Sequence, residues 1–534
     1  MKNKNVILSA HTVILSAAKN LLLLALAVSC TDRFEHMNTD PNQVTASQME
    51  VKNYRTGTKV TNLQNIVVPV QEHLYQFVEC LAAGPYAGYV GETNTWQNRF
   101  STFNEEQNWR KAPFTDVLTQ LYAPYRAILS ESDDEVVLAF AHLMRVAIIH
   151  RVTDCYGPVP HSDIIKNEGL FIKYDSQEDV YRQLFEELDL AIAAFKANEG
   201  LDPSGWTSYD MVYYGNMAQW YRFANSLKLR MAMRLSYVKP ELAKEKAAEA
   251  IAAGVIETNA DNAFMHASEN RAALIYNGWN DHRVAADILS YMNGYEDPRR
   301  EKMFTAVGTG DEKVFAGVRV GSVVDREKFI PAYSNMILST DTPYLWMNAA
   351  EVTFLRSEYE LRWGSAETAK QLYEQAITLS FEEKGASGSA EYIADNTKMP
   401  EAYTDPLGAW SVSTRPSTVT VAWDDAATDI EVNLEKIITQ KWIAIFPLGV
   451  EGWSEYRRTG YPKLFDAAQD LSGGAVNVKH HARRLRYPVE EGSQNKENYL
   501  EAVSILNREA TGDQSLSGDE YSTRLWWDVK PFND

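Results

Sequence analysis

Apolar residues at helical spacing recur along most of this chain, and that recurrence limits the fold more than any other feature. Residues three and four apart share one helix face. Val70, Leu74, Phe77, Val78 and Leu81 keep that spacing, and Gly84-Pro85 should end the helix that carries them. The same reading predicts helices over 114–130, 135–151, 177–198, 209–237, 240–253, 349–363, 365–383, 431–446 and 450–458. The 135–151 segment is apolar on all sides and belongs at the centre. Segments 84–110 and 255–345 break the pattern with Gly, Asn, Tyr, Trp and short β-prone pieces such as 314–324. A loop-rich insertion covers 384–430, and the tail after Gly460 reads as mostly loop. The chain is therefore mainly α, with few short strands.

Several helix pairs place small residues where two helices must approach. Ala369, Tyr373 and Ala376 are one set, and Ala243, Ala247 and Ala250 are a weaker echo. Small residues let antiparallel helices touch while an aromatic fills the gap, the logic of tetratricopeptide repeats. Such TPR-like hairpins are expected over about 114–254 and 349–460. They would pack against an irregular, loop-rich half at about 84–110 and 255–345.

The first 29 residues have another character. Lys2, Lys4 and Lys19 are their only charges, and Leu21-Leu-Leu-Leu-Ala-Leu-Ala-Val28 leads into Ser29-Cys30. A basic region, an apolar run and small residues before a cysteine make a lipoprotein signal peptide over 1–29. A membrane-spanning helix needs roughly 20 apolar residues, and Lys19-Asn20 interrupts this run. Cys30 would carry the lipid, and two acyl chains on one thiol suffice for stable anchoring. Residues 30–50 read as the lipidated tether, and 51–534 as a single helical domain.

The chain has 52 basic and 72 acidic residues, and losing the three lysines of 1–29 takes the net charge from −20 to −23. Such a chain repels nucleic acid and anionic lipid. Of three cysteines, Cys80 and Cys155 read as two buried thiols, although an oxidising envelope would permit a disulfide.

Catalytic motifs are missing: there is no H-E-x-x-H, no G-x-S-x-G and no Gly-rich phosphate loop. Glu105-Glu106, Glu186-Glu187, Glu382-Glu383 and Glu490-Glu491 are adjacent acids, whereas a glycosidase needs two carboxyls opposed across a cleft. They read as solvated faces, and His480-His481 beside Arg483-Arg484 reads as surface. Asp-rich and Asn-rich loops could hold structural Ca²⁺, but no EF-hand-like spacing appears, and no cofactor is expected.

Two dense segments read as architectural. One is Asp154-Cys-Tyr156-Gly157-Pro158-Val159-Pro160. The other runs from Gln440 through Trp442 and Trp453-Ser-Glu455-Tyr456-Arg457-Arg458-Thr459-Gly460-Tyr461-Pro462. Glu455 with Arg457 or Arg458 could tie a late helix to the body, and Trp453 could plug the core. With Cys30 and Phe34-x₃-Asn38-Thr39-Asp40-Pro41-Asn42, these pieces resemble SusD/RagB-type nutrient-binding outer-membrane lipoproteins of the Bacteroidetes. The resemblance spans nearly the whole mature chain. It implies a mainly helical, non-catalytic protein on the cell exterior. Such a protein captures oligosaccharide, or in some members peptide, and acts as the lid of a TonB-dependent SusC-like transporter.

Family ligand contacts follow no fixed motif, so candidates come from the residues alone. Sugars stack on aromatic rings and bond to amides, acids and guanidinium groups. Asn94, Trp96 and Arg99 in 92–99 qualify, as do Tyr276, Asn277, Trp279, Asn280 and Asp281 in 276–283. Trp206 is a further candidate. The alternative is that these rings cap hydrophobic clusters beneath the loops. The rival functions are a surface-anchored glycan hydrolase and a helical protein–protein scaffold.

Overall fold

Long helices in sequence-adjacent pairs build the frame. The structure is a computed structural model that describes residues 53–532, except 167, 168, 170, 309–312, 326, 327, 329, 330 and 511–517. The signal 1–29, Cys30 and the tether 30–50 lie outside the described residues. The principal helices are α1 (Tyr54–Val67), α2 (residues 72–86), α3 (Val117–Glu131), α4 (Glu135–Tyr156), α5 (Gln177–Ala197), α6 (Met217–Arg234) and α7 (Pro240–Ala253). They continue as α8 (Ala286–Gly294), α9 (Ala349–Trp363), α10 (Ala366–Lys384), α11 (Ile430–Ala444), α12 (Gly449–Thr459) and α13 (Lys496–Glu509). Strands β1 (Val90–Glu92), β2 (Ala263–Met265), β3 (His282–Val284) and β4 (Tyr344–Met347) form two antiparallel pairs, β1–β3 and β2–β4. The chain is thus mainly α with few strands.

Helices α3 to α7 pack successively, α6 then meets α9, and α9 pairs with α10 and α11. Ala243, Ala247, Ala250, Ala369, Tyr373 and Ala376 are all fully buried, as the hairpin reading requires. The Ser357 hydroxyl donates to the Ala369 carbonyl at 2.7 Å, which shows how closely α9 and α10 approach. Caps define the ends. The Asp134 carboxylate accepts from the N–H groups of Val136 and Val137 and starts α4, and Gly157 at φ +87° stops it. Helix α4 is long and apolar enough to cross a membrane, yet 89% of its apolar window is buried inside the protein.

Some expectations need correction. Gly84-Pro85 does not end α2, which runs on to Tyr86. A wide π-turn over Gln76–Ala83 puts Pro85 at the start of a fresh turn, where its missing N–H costs nothing. The helix expected from 209 begins at Met217. Before it, the Asp210 carboxylate accepts from the N–H groups of Val212 at 3.0 Å and Gly215 at 2.7 Å, and from Trp220 Nε1 at 2.7 Å. Those bonds fold 206–216 into turns. The tail contains α13, whose buried face is only Ala502, Ile505 and Leu506. Glu105 is buried with Arg110 and Arg486, Glu187 pairs with Arg145, and His481 is buried against Tyr456. These are not solvated positions. Cys80 and Cys155 are separate buried thiols.

The centre is ionic. Arg234 on α6 donates to Asp154 at 3.1 Å, Glu451 at 2.5 Å and Glu455 at 2.6 Å. Arg230 pairs with Glu351 at 2.7 Å, and Lys441 with Glu451 at 3.1 Å. Arg458 joins Glu358 and Glu455, both at 2.6 Å. Burial alone would raise the Glu451 carboxyl, but Arg234, Lys441 and Arg230 outweigh it and hold that carboxyl well below the usual range. Both dense sequence segments therefore meet in one buried network, with Trp453 fully buried beside it. Replacing Arg234 with Met leaves three carboxylates under-compensated. We expect Arg234→Met to lose roughly 3–5 kcal/mol of stability, read as a lower urea midpoint at pH 7. Glu186→Gln on the exposed face of α5 should leave that midpoint unchanged.

Candidate functional site

Strand pairing brings the two candidate loops together. In the β1–β3 register Val90 faces Val284, Gly91 faces Arg283 and Glu92 faces His282, so 92–99 and 276–283 leave the sheet side by side. The Asp281 carboxylate fastens them. It accepts from Asn94 Nδ2 at 2.5 Å and from Gln76 Nε2, on α2, at 2.9 Å. The Thr93 N–H donates to the Asp281 carbonyl at 2.8 Å. Asn280 takes the left-handed conformation at φ +57° that turns the second loop back.

Beside this joint lies a set of rings with exposed surface, His73 and Phe77 from α2 and Trp96, Trp109 and Trp279 from loops and short helical turns. Trp279 packs against His73 with centroids 5.0 Å apart. Four residues along α2, Phe77 meets Trp109 edge-on at 5.6 Å, and Trp109 meets Trp96 at 5.3 Å. Asn277 is exposed at the edge, its Nδ2 donating to the Leu338 carbonyl at 2.9 Å. His73, Phe77 and Trp109 were not among the candidates. Phe77 followed the apolar stripe of α2 and passed for core, and Trp109 lay in a segment without periodicity.

Other candidates face inward. Arg99 is buried, donating to the Ser322 carbonyl at 2.9 Å. Tyr276 is buried with its hydroxyl 3.2 Å from Cys80 Sγ. Trp206 is buried against Phe140 at 4.6 Å, away from both loops. As folded, these three have no surface to offer a ligand. Asp281 is buried as well, and its carboxylate holds the two loops together. Asn94, Trp96, Asn277, Trp279 and Asn280 keep some exposed surface and form an open platform. A cleft of about 1040 Å³ between α8 and residues 300–306, 313–317 and 401–406 lies beyond it. Asn335 links the two: its amide donates to Asn277 Oδ1 at 3.0 Å, and its carbonyl accepts from Thr305, which lines the cleft, at 2.9 Å.

A family model described as Susd and RagB outer membrane lipoprotein matches residues 36–528. The chain belongs to this SusD-like family of lipid-anchored outer-membrane proteins. Among solved structures, a SusD homologue from Bacteroides thetaiotaomicron is 46% identical, with a TM-score of 0.84, over 89% of this chain and 99% of that one. A homologue from Bacteroides ovatus is 40% identical, with a TM-score of 0.84, over 90% and 100%. A chitin-binding homologue from Flavobacterium johnsoniae is 37% identical, with a TM-score of 0.81, over 90% and 100%. No curated protein matches the chain.

His282 sits beneath this surface, fully buried, with its ring 6.3 Å from Trp96. Burial, and then the neighbouring Arg283 guanidinium, push its imidazole down to about 3. An unfolded histidine titrates near 6.5. Between those values the unfolded chain takes up a proton that the native chain refuses. The stabilisation is full above about pH 6.5 and is lost as the pH falls. By pH 4 it should cost the wild type about 3 kcal/mol relative to pH 7. Urea midpoints of wild type and His282→Gln at the two pH values test this, and the wild type should fall further.

Proposed function

We propose that this protein captures an oligosaccharide on the platform of Trp96, Trp109, Phe77, His73 and Trp279 and hands it to a TonB-dependent SusC-like barrel. The observation that carries this reading is the joining of 92–99 to 276–283, which puts two half-exposed tryptophans and the Asn94, Asn277 and Asn280 amides on one surface. Pyranose C–H faces pack on such rings, and amides pair with hydroxyl groups. The chitin-binding relative supports a glycan over a peptide. On this reading Cys30 carries the lipid and 30–50 is the tether, so the body acts as a lid facing the cell exterior.

A hydrolase would need two free, opposed carboxyls. Asp281 spends both oxygens on Asn94 and Gln76, and Glu92, the other acid at the joint, is fully buried. This favours capture without turnover. Titration calorimetry with chito-oligosaccharides and a panel of other glycans and peptides is the test. Trp96→Ala and Trp279→Ala should each weaken glycan binding roughly tenfold or more, measured well below a thermal midpoint that falls because both rings pack partly on the core. Equal affinity in both variants, or release of shorter products, would sink the proposal. For the lid, a large β-barrel should co-purify from solubilised outer membranes with the full chain but not with Cys30→Ser.

A further inference from the structure

A small pocket of about 230 Å³ opens beside the C-terminal end of α12. Arg457, Lys463, Lys479, His480, Arg483 and Lys530 line it, and among the described residues no Asp or Glu does. That concentration runs against a chain with 72 acids and 52 bases. Internal bonds set its walls. Arg483 is clamped on Asp528 at 2.7 and 2.8 Å, and its guanidinium lies 5.1 Å from the Phe532 ring. Lys530 is held by Glu431 at 2.5 Å and lies over the Tyr461 ring.

Those two cations are therefore paired, whereas Arg457, Lys463 and Lys479 have no carboxylate at ion-pair distance among the described residues. The Arg457 donors go to the carbonyls of Asp154, Arg483 and Trp453 and to the Ser454 hydroxyl, none of them charged. Lys463 and Lys479 stand exposed with no carboxylate within ion-pair distance among the described residues. The helix end itself would repel an anion, but Lys530 donates to the Thr459 carbonyl at 2.7 Å and blunts that effect.

We infer that this pocket binds a sulfate or phosphate group through Lys463 and Lys479, with Arg457 behind them. Its volume suits one tetrahedral oxyanion and leaves room for part of the sugar that would carry it as an ester. The inference does not depend on the aromatic platform.

Titration calorimetry on the full chain at low ionic strength, with sodium sulfate and sodium phosphate, is the test. N-acetylglucosamine 6-sulfate and its unsulfated parent form the second arm. Saturable binding of an inorganic ion alone identifies a free anion as the ligand, and binding of the sulfated sugar but not its parent identifies an ester. Either supports the pocket. The double variant Lys463→Gln/Lys479→Gln should weaken it on the order of tenfold, as should raised salt. Trp96→Ala should leave it unchanged. No anion binding, or equal binding in the double variant, overturns the inference. Both lysines are exposed, so an unchanged thermal midpoint will separate lost binding from lost fold.

Discussion

The side chain of Arg234 is the point on which the frame depends. It leaves α6 and reaches acids on α4 and α12 at once, through Asp154, Glu451 and Glu455. Arg230, Lys441 and Arg458 extend the contact to α9 and α11. Five helices thus share one buried set of opposite charges. Hydrophobic packing alone would let such helices slide, because apolar contacts have little direction. Fixed ion pairs penalise every register but one, since any slip strands a charge in the core. Asp154 shows how closely the position is specified: it also accepts from the Tyr181 hydroxyl at 2.6 Å and from Trp527 Nε1 at 2.8 Å.

That network accounts for much of what the residues revealed in advance. Glu455 with Arg457 or Arg458 was expected to tie a late helix to the body; Arg458 makes that pair, whereas Arg457 bonds only to carbonyls and the Ser454 hydroxyl. The hairpins were legible because alanines at helical spacing have one use, close approach. What stayed hidden shares a different cause. Asp210 stops a helix through bonds to its own neighbours, and no periodicity reports that. Glu187 looked like a solvated acid because its arginine, Arg145, comes from a different helix, and Glu105 because Arg486 joins it from far along the chain, beside the nearby Arg110.

The proposed ligand surface was half legible for the same reason. Composition marked the loops 92–99 and 276–283, and the sheet joins them. Composition could not say which way a ring points. Arg99, Tyr276 and Trp206 have the right chemistry but face inward, whereas His73 and Phe77 lie on a helix that looked like plain core. A half-exposed aromatic on a buried helix carries the same sequence pattern as a fully buried one.

Helix α2 connects the platform to the buried network. Its outward residues His73 and Phe77 support the platform. Its inward residue Glu79 binds Arg151 on α4 and accepts from the Gly449 N–H, at the start of α12, at 3.0 Å. At that crossing a Cβ on Gly449 would lie 2.8 Å from the Gly84 nitrogen, so the two helices meet backbone to backbone. The ring-bearing helix is therefore fixed to the same two helices that Arg234 locks. On the proposed reading, an open platform gains little from enclosure, and its affinity comes from rings that need no ordering when a ligand arrives. The order of those rings is supplied from beneath, by buried charges outside the proposed surface.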